Sequence, residues 1–147
     1  MKEVNFFLSF IPPSKANKVK INIRAFTKSG KRYIVPKDVS LKINKAIWEL
    51  QMQNEKIKAH FSKPVEVHIT FLLPNKRRRD LDNIMKTLGD CLSYAGIIED
   101  DNLIYKQTLE KFHSKEEGVI IKIKNLRKRK EPDLSLLKEY KRTINGN

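Results

Sequence analysis

"VEVHITFLLPNKRRRDLDNIMKTLGDCLSYAG", residues 65–96, places a strand, a charged connection and a helix in one run, and its reading decides the fold. Val65, Val67, Ile69, Phe71 and Leu73 alternate with Glu66, His68 and Thr70, the period-two pattern of a half-buried strand. Pro74 has no N–H for a ladder and stops it. From about Asn83 the period changes to that of a helix, predicted to run to Ala95 with Ile84, Leu88, Cys91, Leu92 and Ala95 on its buried face. Gly96 supplies the left-handed residue that ends it.

Outward from this run, "VNFFLSF" (4–10) reads as an opening strand ended by Pro12-Pro13-Ser14. "KVKINIRAF" and "KRYIVP" flank Lys28-Ser29-Gly30, a hairpin or a mobile basic loop. After Asp38, the positions Val39, Ile43, Ala46, Ile47, Leu50 and Ile57 recur at helical spacing. Trp48 sits beside that stripe and is assigned to the core or its edge rather than to a ligand platform. "NLIYKQTLEKF" and "GVIIKIK" read as two further strands, joined through "HSKEEG" as a hairpin. The order predicts an α/β or α+β fold: one domain with a mixed sheet and two main helices. That domain is expected over 1–124, with 125–147 a basic extension that contains Pro132 and one short helix.

Lys and Arg total 31 against 17 acids, a formal net charge of +14, so the surface concentrates polyanions and points to nucleic acid. The single cysteine, Cys91, excludes an internal disulfide and fits a reducing compartment. No apolar run approaches bilayer length and the N-terminus lacks a signal-peptide layout, so a cytoplasmic protein without a membrane partner is expected. His60, His68 and His113 show no zinc spacing, and no glycine-rich phosphate loop appears.

Asp80 and Asp82 lie two apart between strand and helix; an extended backbone there points both carboxylates the same way. Beyond Gly96, "GIIEDDNL" brings Glu99, Asp100 and Asp101. Should helix and strands pack side by side, these acids return towards the first pair. Gathered carboxylates raise one another's pKa unless a cation holds them ionised, and all-oxygen ligands suit Mg²⁺ or Mn²⁺, with Ca²⁺ as an alternative. Lys86, four residues after Asp82, shares its helix face and would meet charge growing on an attacked phosphate. Lys76, Arg77, Arg78 and Arg79 would clamp phosphate oxygens. The plain alternative makes the acids helix caps, Asp82–Lys86 and Lys86–Asp90 surface pairs, and the arginines a solvated face. The conjunction of all these features at one helix mouth favours the metal site.

In order and spacing, "RRRDLDNIMKTLGDCLSYAGIIEDDNLI" resembles the signature of the RusA-type Holliday junction resolvases, and the likeness extends over about 71–123. "FIPPSKANK" is similar to that family's early Pro-Pro-Ser turn, with Asn17 placed late, and the tail after Lys124 has no counterpart. The resemblance implies that Asp80, Asp82 and Asp101 hold the metal with Asp100 as a neighbouring acid, and that Lys86 is the catalytic lysine. It implies a Mg²⁺-dependent homodimer that resolves four-way junction DNA by paired symmetric nicks in recombination and repair. A cytoplasmic, nucleoid-associated and often phage- or prophage-encoded protein is its usual setting. The rival reading is a non-catalytic branched-DNA-binding protein, in which the acids are caps and the basic surface is the whole function.

Overall fold

The computed structural model describes residues 3–14, 20–21, 33–34 and 37–146. Strands β1 (Val4–Leu8), β4 (Val65–Leu73), β5 (Ile104–His113) and β6 (Gly118–Asn125) form one mixed sheet in the order β1-β6-β4-β5. Two short strands, β2 (Lys20–Ile21) and β3 (Tyr33–Ile34), pair antiparallel with each other. The turn expected at Lys28-Ser29-Gly30, and Asn17, lie outside the described residues. Helices α1 (Lys37–Ile57) and α2 (Leu81–Tyr94) pack on each other, and α3 (Ser135–Ile144) follows the sheet. The result is an α+β domain.

Strand β4 occupies the range its alternation predicts, with Val65, Val67, Ile69, Phe71 and Leu73 all buried. They meet Phe6 and Leu8 of β1, Val119, Ile121 and Ile123 of β6, Ala46 and Leu50 of α1, and Ile84, Leu88, Cys91 and Leu92 of α2. Each fully buried side chain of this size contributes about 1.5–3 kcal/mol of hydrophobic stabilisation. Helix α2 ends as expected. Gly96 takes φ +78°, and the Ile97 N–H donates to the Leu92 carbonyl at 3.1 Å.

Three expectations are corrected. Strands β5 and β6 do not form a hairpin; β4 lies between them, parallel to β5 and antiparallel to β6. The crossover through α2 returns the chain parallel to β4 on one side, so β6 takes the free side and bridges β4 to β1. Trp48 is 58% exposed, because it lies about 200° round the helix from both buried neighbours, Ala46 and Leu50. Ile57, the last residue of α1, is likewise exposed rather than on the buried stripe.

Candidate metal and nucleic-acid site

The site lies in the cleft between α2 and the inner face of the edge strand β5. Helix α2 starts at Leu81, two residues earlier than expected, which corrects the geometry of the first acid pair. Asp80 is the N-cap in extended conformation, whereas Asp82 is already inside the first helical turn. The two carboxylates are therefore not related by strand periodicity. The Asp80 carbonyl accepts from the Ile84 N–H at 3.2 Å, but its side chain makes no bond to the helix backbone; Oδ2 accepts from Asn83 Nδ2 at 2.7 Å. Both acids sit at the positive end of the helix dipole.

Asp82 belongs to two adjoining hollows. One, of about 430 Å³, is lined by Asp82, Met85, Lys86, Gly89, Asp101 and Gln107, together with Ile104. The other, of about 730 Å³, is lined by Arg78, Arg79, Asp80, Leu81, Asp82 and Lys111. Helical spacing explains the first wall: Asp82, Lys86 and Gly89 fall at i, i+4 and i+7. Asp101 packs directly on Gly89, where an added Cβ would meet Asp101 Cβ at 3.3 Å. Asp82 and Gly89 are seven residues apart, about 10 Å along the helix axis. In keeping with that separation, no three acidic, histidine or cysteine side chains among the described residues are gathered tightly enough to hold a metal ion by themselves. The structure thus brings Asp82, Lys86 and Asp101 to one hollow and leaves Asp80 in the next.

The plain alternative pairs Asp82 with Lys86 on the helix surface. Among the described residues neither takes part in an ion pair. Asp100 and Asp101 differ from each other. Asp100 caps the short 3-10 turn Asp101–Leu103, its Oδ1 accepting from the Asn102 N–H at 2.9 Å. That bond, and the hydrogen bond to Asp101, hold the Asp100 carboxyl below its usual range. Asp101 is pushed up by the hydrogen bond it shares with Asp100, then by burial and by the negative charges of Asp100 and Asp90. Asp101 thus sits in a field that favours a proton or another cation, and Asp100 is turned to its own backbone.

This donor set fits a hydrated divalent ion. Mg²⁺ keeps several waters and is usually held by one or two carboxylates plus substrate phosphates, and the hollow that Asp82 and Asp101 both line offers carboxylates of that chemistry.

In the basic run, Lys76, Arg77 and Arg78 are exposed, while Arg79 is half-buried. Arg79 Nη2 lies 3.7 Å from Glu117 Oε1, and the other Glu117 oxygen accepts from the Ile11 N–H at 3.1 Å. The Arg79 Nε is shut from solvent without an acceptor. The guanidinium lines the groove that Asp80 and Asp82 share, where its terminal nitrogens, rather than the enclosed Nε, can meet a phosphate oxygen.

Sequence reasoning missed Gln107 and Lys111. Their signal was present in the strand. Gln107, Leu109, Lys111 and His113 share one face by alternation, and three of these four side chains are polar where β4 is wholly apolar. Reading that break needs the knowledge that β5 lies beside β4.

The family described as "Endodeoxyribonuclease RusA" matches residues 10–124. The crossover junction endodeoxyribonuclease RusA of Aquifex aeolicus (strain VF5) is 39% identical over 125 residues, covering 84% of this chain and 93% of that protein. This chain belongs to the RusA family. The enzyme of the same name from Escherichia coli (strain K12) is 38% identical over 50 residues, 34% of this chain and 42% of that relative. The RusA match ends just before the tail, and no helix among the described residues is long and apolar enough to cross a membrane.

Proposed function

We propose that this chain is a divalent-metal-dependent endodeoxyribonuclease that resolves four-way DNA junctions, acting on cytoplasmic DNA in recombination and repair. One observation carries the reading: Asp82 is common to a hollow with Lys86 and Asp101 and to a groove with Arg78, Arg79 and Lys111. A cation-holding corner and a phosphate-holding wall thus meet at one carboxylate.

Asp82 and Asp101 would hold Mg²⁺ or Mn²⁺, with Asp80 within reach through the shared groove and Asp100 setting the field at Asp101. When bound, the ion supplies hydroxide from water near neutral pH and stabilises the leaving oxygen. Lys86 donates to a non-bridging oxygen of the attacked phosphate and offsets the charge that grows there. Arg78, Arg79 and Lys111 grip the sugar–phosphate backbone on either side of the carboxylates, with Lys76 and Arg77 extending the grip along the strand. Glu117 turns the Arg79 guanidinium towards the groove.

A homodimer suits this substrate. A two-fold axis gives each subunit one of two equivalent strands, so that paired symmetric nicks separate the junction into two duplexes. The family match over 10–124 supports treating 1–124 as the nuclease domain and 125–147 as an extension.

The deciding experiment mixes the protein with a synthetic four-way junction and titrates Mg²⁺ or Mn²⁺. Metal-dependent, symmetrically placed nicks are expected. Tight junction binding without nicking at every metal concentration overturns the catalytic reading in favour of a binding protein.

A further inference from the structure

We propose that the segment following β6 is a second nucleic-acid contact, binding the phosphate backbone of a duplex arm away from the point of scission. This rests on the junction-nuclease reading above but uses none of its residues. Arg127, Lys128, Arg129 and Lys130 are consecutive, exposed, and beyond the residues that match the family. Among the described residues no acid lies within ion-pair distance of any of the four. By contrast, Lys106 and Lys124 on the open face of the sheet are both satisfied by Glu66, at 3.9 and 3.7 Å.

The strip is placed by the fold. The Leu126 N–H donates to the Pro64 carbonyl at 2.9 Å, which ties the start of the segment to the sheet end where β4 begins. Arg127, Lys128 and Arg129 then share a hollow of about 250 Å³ with Glu66, Lys106 and Lys124. The run Arg77–Arg79 follows the other end of β4. The nine-residue strand between those two sheet ends spans roughly 26 Å, the rise of about eight base pairs. Four cations with no ion-pair partner among the described residues, at the far end of β4, match a repeating polyanion, and no base-reading geometry is needed. The occupant is duplex DNA held through its phosphates.

The test compares the full-length protein with a variant carrying Arg127→Ala, Lys128→Ala, Arg129→Ala and Lys130→Ala. Binding is read across a salt series on junctions with arms well longer and well shorter than about eight base pairs. On long arms the variant is expected to bind about tenfold more weakly. The slope of log affinity against log salt should flatten by about 2–4, near 0.9 for each phosphate that the variant leaves unneutralised. On short arms the two proteins should converge. Lys128→Arg with Lys130→Arg keeps the charge and should keep the affinity. Unchanged affinity and slope overturn the proposal. So does an equal defect on short arms, which would mean diffuse attraction, or a lower metal-dependent nicking rate at saturating protein, which would put the strip at the scission site. Failure of the nuclease reading looks different: the unsubstituted protein never nicks, while the arm-length and salt effects persist.

Discussion

Strands β4 and β5 run parallel, side by side, and turn the same face towards α2, yet they do opposite things with it. On β4 that face reads Val65, Val67, Ile69, Phe71, Leu73, every one buried. On β5 the neighbouring positions of the same rows are Gln107 beside Val67, Leu109 beside Ile69, and Lys111 beside Phe71. The central strand has partners on both edges and a helix above it, so its apolar side chains are shut away from water. The edge strand leaves its outer flank open, and polar groups there keep solvent while reaching α2. One layer of sheet thus changes from core to site within a single strand spacing, close to 4.8 Å.

Phe71→Ala attacks the core half of one row. The ring is fully buried, so its removal is expected to cost about 3–5 kcal/mol, read as a lower urea midpoint with an unchanged slope. A cost under about 1 kcal/mol would mean that this row is not the packed centre of the domain. Asp82→Asn attacks the site half. It removes the carboxylate proposed to hold the ion and leaves the helix start intact, so single-turnover nicking of a four-way junction should fall about a thousand-fold. Junction affinity should hold or rise, because a negative charge near phosphates is gone. A variant that cuts at the normal rate would remove Asp82 from the metal corner.

How much of this contrast is legible in the sequence depends on distance along the chain. The β4 alternation, the α2 stripe, Gly96 and the acids Asp80, Asp82 and Asp101 are all local signals, and the first three match the structure almost residue for residue. Strand pairing is not local. The alternation in "NLIYKQTLEKF" tells which residues share a face but not which strand lies beside them, so the sequence predicts an adjacent β5–β6 hairpin where β4 stands between the two. With the neighbour misassigned, Gln107 and Lys111 read as ordinary surface residues. The Asp80/Asp82 geometry fails for a smaller reason. Helix starts are set within a turn by capping, and a start at Leu81 rather than Asn83 turns Asp82 from a strand-like position into the first helical turn. Trp48, placed beside the stripe at the core or its edge, is exposed because nothing packs over that side of the helix among the described residues.

Lys111→Leu sharpens the comparison by making β5 resemble its neighbour. Leucine beside Phe71 and Leu109 extends the apolar face, so stability should hold or rise slightly. The phosphate wall of the groove loses one cation, and junction cleavage should fall ten- to a hundredfold, on the order of one charge-assisted hydrogen bond. Lys111→Arg should retain most of the rate. Parallel losses of stability and activity in Lys111→Leu would instead make the lysine a structural guard of an exposed strand edge.

The smallest change tests the seam itself. Gly89 is buried in the middle of α2, where glycine costs the helix about 0.5–1 kcal/mol relative to alanine. A Cβ at this position would meet Asp101 Cβ at 3.3 Å, tighter than ordinary packing, so Asp101 must shift by a few tenths of an ångström. Gly89→Ala should therefore leave the melting temperature level or slightly raised, as helix propensity offsets the crowding. Apparent metal affinity in the nicking assay should weaken several-fold, because the carboxylate has moved relative to Asp82. Stability and metal response then part company at one methyl group, which a purely structural glycine would not produce. Equal metal dependence in Gly89→Ala and the unsubstituted protein would mean that Gly89 and Asp101 meet as packing alone, and that the position of Asp101 along α2 does not govern the ion.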